Sequence, residues 1–167
     1  PAAGIGEIDA AIVYGGAFYI FVEEEKLGLR VLPEQTPALV ARAMEMKRWV
    51  NANLDIRHPE KPEIGGIYGV LITSPVERTE YGCRSRHICV FAEGAVDRSP
   101  CGTGTSARMA LLVSRGELNV GEQFQAASII DTKFAGTPLA AVTESGYEAI
   151  IPQVAGPAWI TGFNKFV

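Results

Sequence analysis

Cysteine is scarce in this 167-residue chain: only Cys83, Cys89 and Cys101 are present. An odd, sparse set of thiols argues against a secreted disulfide scaffold, and reduced cysteines in a cytoplasmic setting are the expectation. Cys83 and Cys89 lie near His87, yet their spacing fits no common zinc pattern, so no metal is expected. Basic residues do not dominate: 15 Lys and Arg face 19 Asp and Glu, for a net charge of −4. With no basic run either, nucleic acid is not an expected partner. No apolar stretch reaches the roughly 18 residues that span a bilayer, and no secretory signal pattern opens the chain. A membrane partner is therefore not expected. An initiator methionine is also lacking, and the start at Pro1 suggests a fragment or processed piece.

What is present is ordinary globular material, 47% hydrophobic and 20% charged, of a length that suits one domain over residues 1–167. Two β-rich runs, Ile8–Tyr14 and Ala17–Val22, flank Gly15-Gly16. Thr36 is placed to cap a helix over about 37–52, with Pro37 in the first turn. Leu39, Val40, Ala43, Met44, Lys47 and Val50 then recur at helical spacing. After a Pro/Gly/Asn-rich loop, short strands are expected at Ile67–Thr73, Ile88–Ala92, Phe124–Ile130, Leu139–Thr143, Tyr147–Pro152 and Ala158–Val167. Between them one helix, about 103–115, is apolar nearly all round and stopped by Gly116. The expected fold class is α+β: short strands around a central buried helix, plus an outer helix.

The stretch "VDRSPCGTGTSARMALLVSRGEL" places Cys101 immediately before that buried helix. Amides in the first turn of a helix lack internal partners and carry a partial positive charge, which favours a thiolate over its thiol. Gly102 and Gly104 leave the backbone open to a small anion. A nucleotide loop needs a Lys after the glycines, and "CGTGTSA" has none. A cysteine hydrolase needs a histidine base, for which only His58 and His87 are available. A third use is proton transfer. In it the helix terminus holds the carboxylate of an amino acid, Asp97 meets its ammonium, and Cys101 exchanges the α-proton. The plainest alternative is an inert cysteine closing a tight turn.

"DRSPCGTGTSA" resembles the second active-site signature of the proline racemase family, which includes 4-hydroxyproline 2-epimerases and trans-3-hydroxyproline dehydratases. "YGGAFYIFVE", "YGVLIT", "ICVFAEGAVDRSP" and "GFNKF" resemble further stretches of the same half of those enzymes. C-G-x-G-T also occurs in diaminopimelate epimerases, and the preceding "DRSP" favours the proline branch. The resemblance implies a diaminopimelate-epimerase-like half, the C-terminal one of two pseudo-symmetric domains with the active site between them. It also implies that Cys101 is one of two acid/base residues. The amides of Gly102, Thr103 and Gly104 would hold the substrate carboxylate, Asp97 the ring nitrogen, and Phe91 would pack on the pyrrolidine.

The first-half Cys-Gly-His signature is absent, so the second catalytic residue is expected from a missing N-terminal half or from another copy of the chain. The reading is a cofactor-independent racemase or epimerase of proline or hydroxyproline. Its first alternative is trans-3-hydroxyproline dehydratase. "YGGAFY", "LGL" and "HPE" resemble that branch, although the position of Cys101 is commonly Thr there. A second alternative is a catalytically incomplete amino-acid-binding module.

Overall fold

Two parallel strand pairs, each bridged by a helix, set the plan of the computed structural model, which describes residues 7–166. Strand β1 (Ala11–Tyr14) runs antiparallel to β2 (Phe18–Glu23). The chain then passes through α1 (Thr36–Asn53) and returns as β3 (Ile67–Thr73), parallel to β2. Three strands follow: β4 (Glu77–Thr79), β5 (Gly82–Phe91) and β6 (Ala95–Val96). Helix α2 (Gly102–Ser114) carries the chain to β7 (Gln123–Ala127), parallel to β5, and β8 (Lys133–Glu144) and β9 (Tyr147–Ala155) form a long hairpin. The sheet order is β1-β2-β3-β5-β7-β8-β9, with β4 and β6 also paired to β5. Strand β5 is the seam, since residues 87–91 pair with β3 while residues 82–86 pair with β7.

The period of two in the strands decides which helix each side chain meets. Ile20, Val22, Val70, Ile72, Ile88 and Val90 turn to one face and pack with Leu39, Ala43, Met44 and Met46 of α1. Tyr19, Phe21, Leu71 and Cys89 turn to the other and pack with Cys101, Ala107 and Leu111. Further along α2, Met109 and Leu112 bury against Cys83, Phe124 and Ala126. Each aliphatic side chain taken fully out of water contributes about 1.5–3 kcal/mol, so α2 is fixed from two directions. The expected arrangement of a central buried helix and an outer amphipathic one is the arrangement found. No helix among the described residues is long and apolar enough to cross a membrane.

Several expectations need correction. Thr36 is not the cap of α1: Pro33–Gln35 form a 3-10 turn, Gln35 takes the cap position, and the Thr36 hydroxyl donates to Pro33 O at 2.7 Å. The strand expected at Phe124–Ile130 ends at Ala127. There Ser128 Oγ accepts from the amides of Ile130 and Thr132 and turns the chain, with Asp131 at φ 65°. The run Ala158–Val167 forms no strand over residues 158–166, and Val167 lies outside the described residues. Its apolar side chains have no strand beside them to pack on, and Phe163 and Phe166 are 94% and 92% exposed. Helix α2 is also less uniformly apolar in its burial than its sequence suggests. Arg108 is buried in it, and Nε has no hydrogen-bond partner among the described residues.

Candidate active site

Cys101 stands at the cap position of α2 with φ 63° and ψ 117°, a left-handed backbone that non-glycine residues rarely adopt. Its carbonyl accepts the first helical bond, from Thr105 N at 2.8 Å, and its own sulfur accepts from Gly104 N at 3.3 Å. The thiol thus does what a serine or aspartate oxygen does at other helix starts. The two glycines that follow differ in role. A Cβ on Gly102 would meet nothing within 4 Å, so that residue borders open space. A Cβ on Gly104 would lie 3.1 Å from both Cys101 Sγ and Leu71 Cδ2, so Gly104 faces inward and its amide serves the thiol.

The approach to Cys101 is tied down residue by residue. The Asp97 amide donates to Cys89 O at 3.1 Å, which pins the loop to β5. Asp97 Oδ1 accepts from the amide and hydroxyl of Ser99 at 3.0 and 2.9 Å, and Ser99 Oγ in turn accepts from the Cys101 amide at 3.1 Å. Asp97 Oδ2 carries no such bond among the described residues. Pro100 O is held twice, by His87 Nε2 at 2.6 Å and by the Thr105 hydroxyl at 3.0 Å. Burial keeps His87 neutral, with its pKa down to about 4. Its proton sits on Nε2, because Pro100 O can only accept. Neither His87 nor His58 bonds to Cys101; His58 packs edge-on against Tyr14, with ring centroids 5.1 Å apart. The cysteine–histidine pair that a hydrolase needs is not formed.

Four side chains surround the sulfur. The Tyr19 hydroxyl lies 3.4 Å from Cys101 Sγ and 2.7 Å from Thr103 Oγ1, while Thr103 Oγ1 is 3.8 Å from the sulfur. The Cys89 sulfur, the Cys101 sulfur and an Asp97 carboxylate oxygen all lie within 4.8 Å of one another. The Cys101 thiol is pulled down to about 6, first by hydrogen bonding from Cys89 and then, against the opposing effect of burial, by Tyr19, the Gly104 amide and Thr103. Cys89 moves the other way, first because its proton is engaged with Cys101, then through burial and the negative charge beside it. Tyr19 is also raised, chiefly by burial and then by its bond to Cys101. One thiolate and two proton donors is the charge state that this geometry favours. The helix terminus contributes, as its position in the sequence implies, but the leading cause is a neighbouring thiol brought in by the sheet.

Of the residues singled out from sequence, Asp97, Cys101, Gly102, Thr103 and Gly104 share this loop and first turn. Phe91 ends β5 at the rim of the same cluster and stacks on Tyr68, with ring centroids 5.9 Å apart and planes 7° apart. Sequence reasoning did not single out Tyr19, Cys89, Ser99 or Tyr68. The Gly15-Gly16 turn also packs on the site: a Cβ on Gly15 would fall 2.4 Å from Thr103 O and 2.7 Å from Ala107 N.

The family model described as proline racemase matches residues 2–167. The chain belongs to the proline racemase family. It is 41% identical over 162 residues to the 4-hydroxyproline 2-epimerase of Paracoccus denitrificans, covering 96% of this chain and 48% of that protein. It is 39% identical over 161 residues to the trans-3-hydroxy-L-proline dehydratase of Bacillus cereus, covering 96% and 48%. It is 37% identical over 164 residues to the proline racemase of Clostridioides difficile, covering 98% and 48%. The chain thus spans about half the length of the curated relatives it matches. Among solved structures, the hydroxyproline epimerase of Agrobacterium vitis with bound trans-4-hydroxy-L-proline superposes with a TM-score of 0.85 at 35% identity, over 94% of this chain and 45% of that one. The strands wrapped on α2 are therefore a half of the diaminopimelate-epimerase-like fold of this family.

Proposed function

We propose that this chain provides one catalytic face of a cofactor-independent racemase or epimerase acting on proline or hydroxyproline. The observation that carries the reading is the placement of Cys101, its sulfur 3.4 Å from the Tyr19 hydroxyl and 3.3 Å from the Gly104 amide, at the start of α2 beside the exposed Gly102. The amides of Gly102 and Thr103 hold the substrate carboxylate, and Asp97 receives the ring ammonium. Phe91 lies against the pyrrolidine. The Gly104 amide is already engaged by the thiol, so it supports the sulfur rather than the substrate.

In the reaction the Cys101 thiolate takes the α-proton, and the C–H electron pair stays on the substrate as an enolate-like carbanion. Amides at the carboxylate offset the charge that builds there. A second acid on the opposite face delivers a proton to the same carbon, which inverts it with no net redox change. Cys83 lies in a different core cluster and Cys89 packs in the cluster that holds Cys101, so neither offers an opposing face. The second group comes from a companion half or from another copy of the chain. A reducing, cytoplasmic setting suits a mechanism that needs free thiols.

Dehydration of trans-3-hydroxyproline is a second reading, favoured by the 39% identity to the Bacillus cereus dehydratase. It needs only one base: Cys101 takes the α-proton, the electron pair forms a carbon–carbon double bond, and the 3-hydroxyl leaves as water after protonation. Proton NMR of the purified protein in D₂O with proline, trans-4-hydroxyproline and trans-3-hydroxyproline separates these readings. Loss of the α-proton signal with inversion establishes a racemase or epimerase. Loss without inversion means that this face works without its opposite. A dehydrated product selects the dehydratase, and exchange with none of the three leaves an amino-acid-binding module.

A further inference from the structure

Cys89, Asp97 and Cys101 come from a strand, the loop behind it and a helix cap, yet their two sulfurs and a carboxylate oxygen converge within 4.8 Å. Both cysteines are almost fully buried, at 1% and 7% exposure, and Asp97 is half-buried. Two bonds hold the carboxylate near the sulfurs: the Asp97 amide to Cys89 O, and Ser99 to Asp97 Oδ1. Oδ2 is the oxygen left for another ligand. A tetrahedral ion with Zn–S bonds of about 2.3 Å and Zn–O bonds of about 2.0–2.2 Å sets its sulfurs about 3.8 Å apart. From the present separation, closing on such an ion takes movements of about 1 Å or less at side-chain ends.

We propose that Cys89, Asp97 and Cys101 form a three-donor site for a thiophilic divalent cation of the Zn²⁺ or Cd²⁺ class, with its fourth position left to a water or an added ligand. Two sulfurs and one carboxylate select such ions over Mg²⁺ or Ca²⁺, which demand oxygen ligands in greater number. The binding step balances simply. The Cys101 thiolate and the Asp97 carboxylate each donate an electron pair, the Cys89 thiol loses its proton to solvent, and nothing is oxidised. The ion occupies the sulfur that the proposed reaction uses as base and the carboxylate it uses for the ammonium, so occupancy is inhibitory. That last consequence rests on the racemase reading; the ligation does not. The spacing of Cys83, His87 and Cys89 gave no hint of this site, because the fold selects Cys89 from that group and supplies the other two donors from the loop.

Cd²⁺ titration of the reduced protein, followed through its thiolate charge-transfer absorption, tests the site without any turnover. One ion per chain is expected, displaced by Zn²⁺ and not by Mg²⁺. Cys89→Ala should weaken binding more than about 10-fold, the least that loss of even an outer partner of a metal costs. Cys83→Ala should leave it unchanged. In the unsubstituted protein, Zn²⁺ should block alkylation of Cys101. An absent band, a band unchanged in Cys89→Ala, a band lost in Cys83→Ala, or alkylation of Cys101 indifferent to Zn²⁺ each overturns the proposal. A protein that binds Cd²⁺ yet exchanges no α-proton would leave this site standing and remove the racemase reading alone.

Discussion

The Tyr19 hydroxyl reaches Cys101 Sγ at 3.4 Å and Thr103 Oγ1 at 2.7 Å, joining residues 82 and 84 positions apart in the chain. Tyr19 is fully buried on β2, and its ring packs in the cluster that holds Leu71 and Cys89. Its hydroxyl is therefore held beside the sulfur at a fixed position. Tyr19→Phe keeps the ring and removes only that donor. The apparent pKa of Cys101, read from the pH profile of iodoacetamide labelling, should rise by about one to two units, the scale of a hydrogen bond to a charged group. A profile identical to that of the parent protein would show that the tyrosine only packs.

Stability should depend on pH through the same thiols. Cys101 is depressed in the fold, so its contribution is fully present above its unfolded value near 9.0 and is lost as pH falls toward about 6. Cys89 and Tyr19 are raised, so they oppose folding once the unfolded chain begins to ionise them, above about pH 8.5–10. Melting temperature relative to Cys101→Ala should climb from pH 6 to about 9. In the parent protein it should then turn down. A flat difference across that range would remove the thiolate from the folded state.

His87 makes a separate acid limb. Its folded pKa near 4 lies below the ordinary histidine value of 6.5, so the unfolded state binds the extra proton and stability falls as pH drops between those two values. His87→Gln keeps an N–H that can reach Pro100 O but removes the titration, so the melting temperature should lose its slope in that window. His87→Leu removes the bond as well and leaves Pro100 O with Thr105 alone. It should destabilise by about 1–3 kcal/mol and slow labelling of Cys101, because the cap loop loses a tether.

Gly15 offers a steric test from the far side of the site. An alanine methyl there would press on Thr103 O and on Ala107 N, and neither backbone atom can move without shifting the first turn of α2. Gly15→Ala should cost about 1–3 kcal/mol as overpacking and reduce substrate binding more than Gly28→Ala reduces it. Gly28 sits on an exposed turn, and a Cβ there meets nothing within 4 Å, although its φ of +63° carries a strain of its own. Equal effects of the two substitutions on binding would detach the glycine turn from the site.

How much of this was legible in advance follows from how each contact is made. The cap, the glycines and α2 are local, so the spacing around Cys101 announces them. The two helices and most strands are carried by period and by turn residues. The N-terminal half of β5 escaped notice because its inward positions are Cys83, Ser85 and His87 rather than aliphatic residues, while Arg84 and Arg86 alternate with them. Tyr19 and Cys89 reach the thiol only through strand register, and one residue of slip would turn both to the α1 face. The opposite error occurred at residues 158–166, where apolar composition suggests a strand, but composition supplies no neighbour to pair with.

The backbone at Cys101 sets two demands against each other. At φ 63° and ψ 117° glycine is the comfortable occupant, and any side chain there carries about 1–3 kcal/mol of strain. Cys101→Gly should therefore melt above Cys101→Ala while having no sulfur to react. At about pH 6 and below, where the thiolate no longer adds stability, screening this protein for thermal stability alone would drift toward glycine at the one position where the proposed chemistry resides.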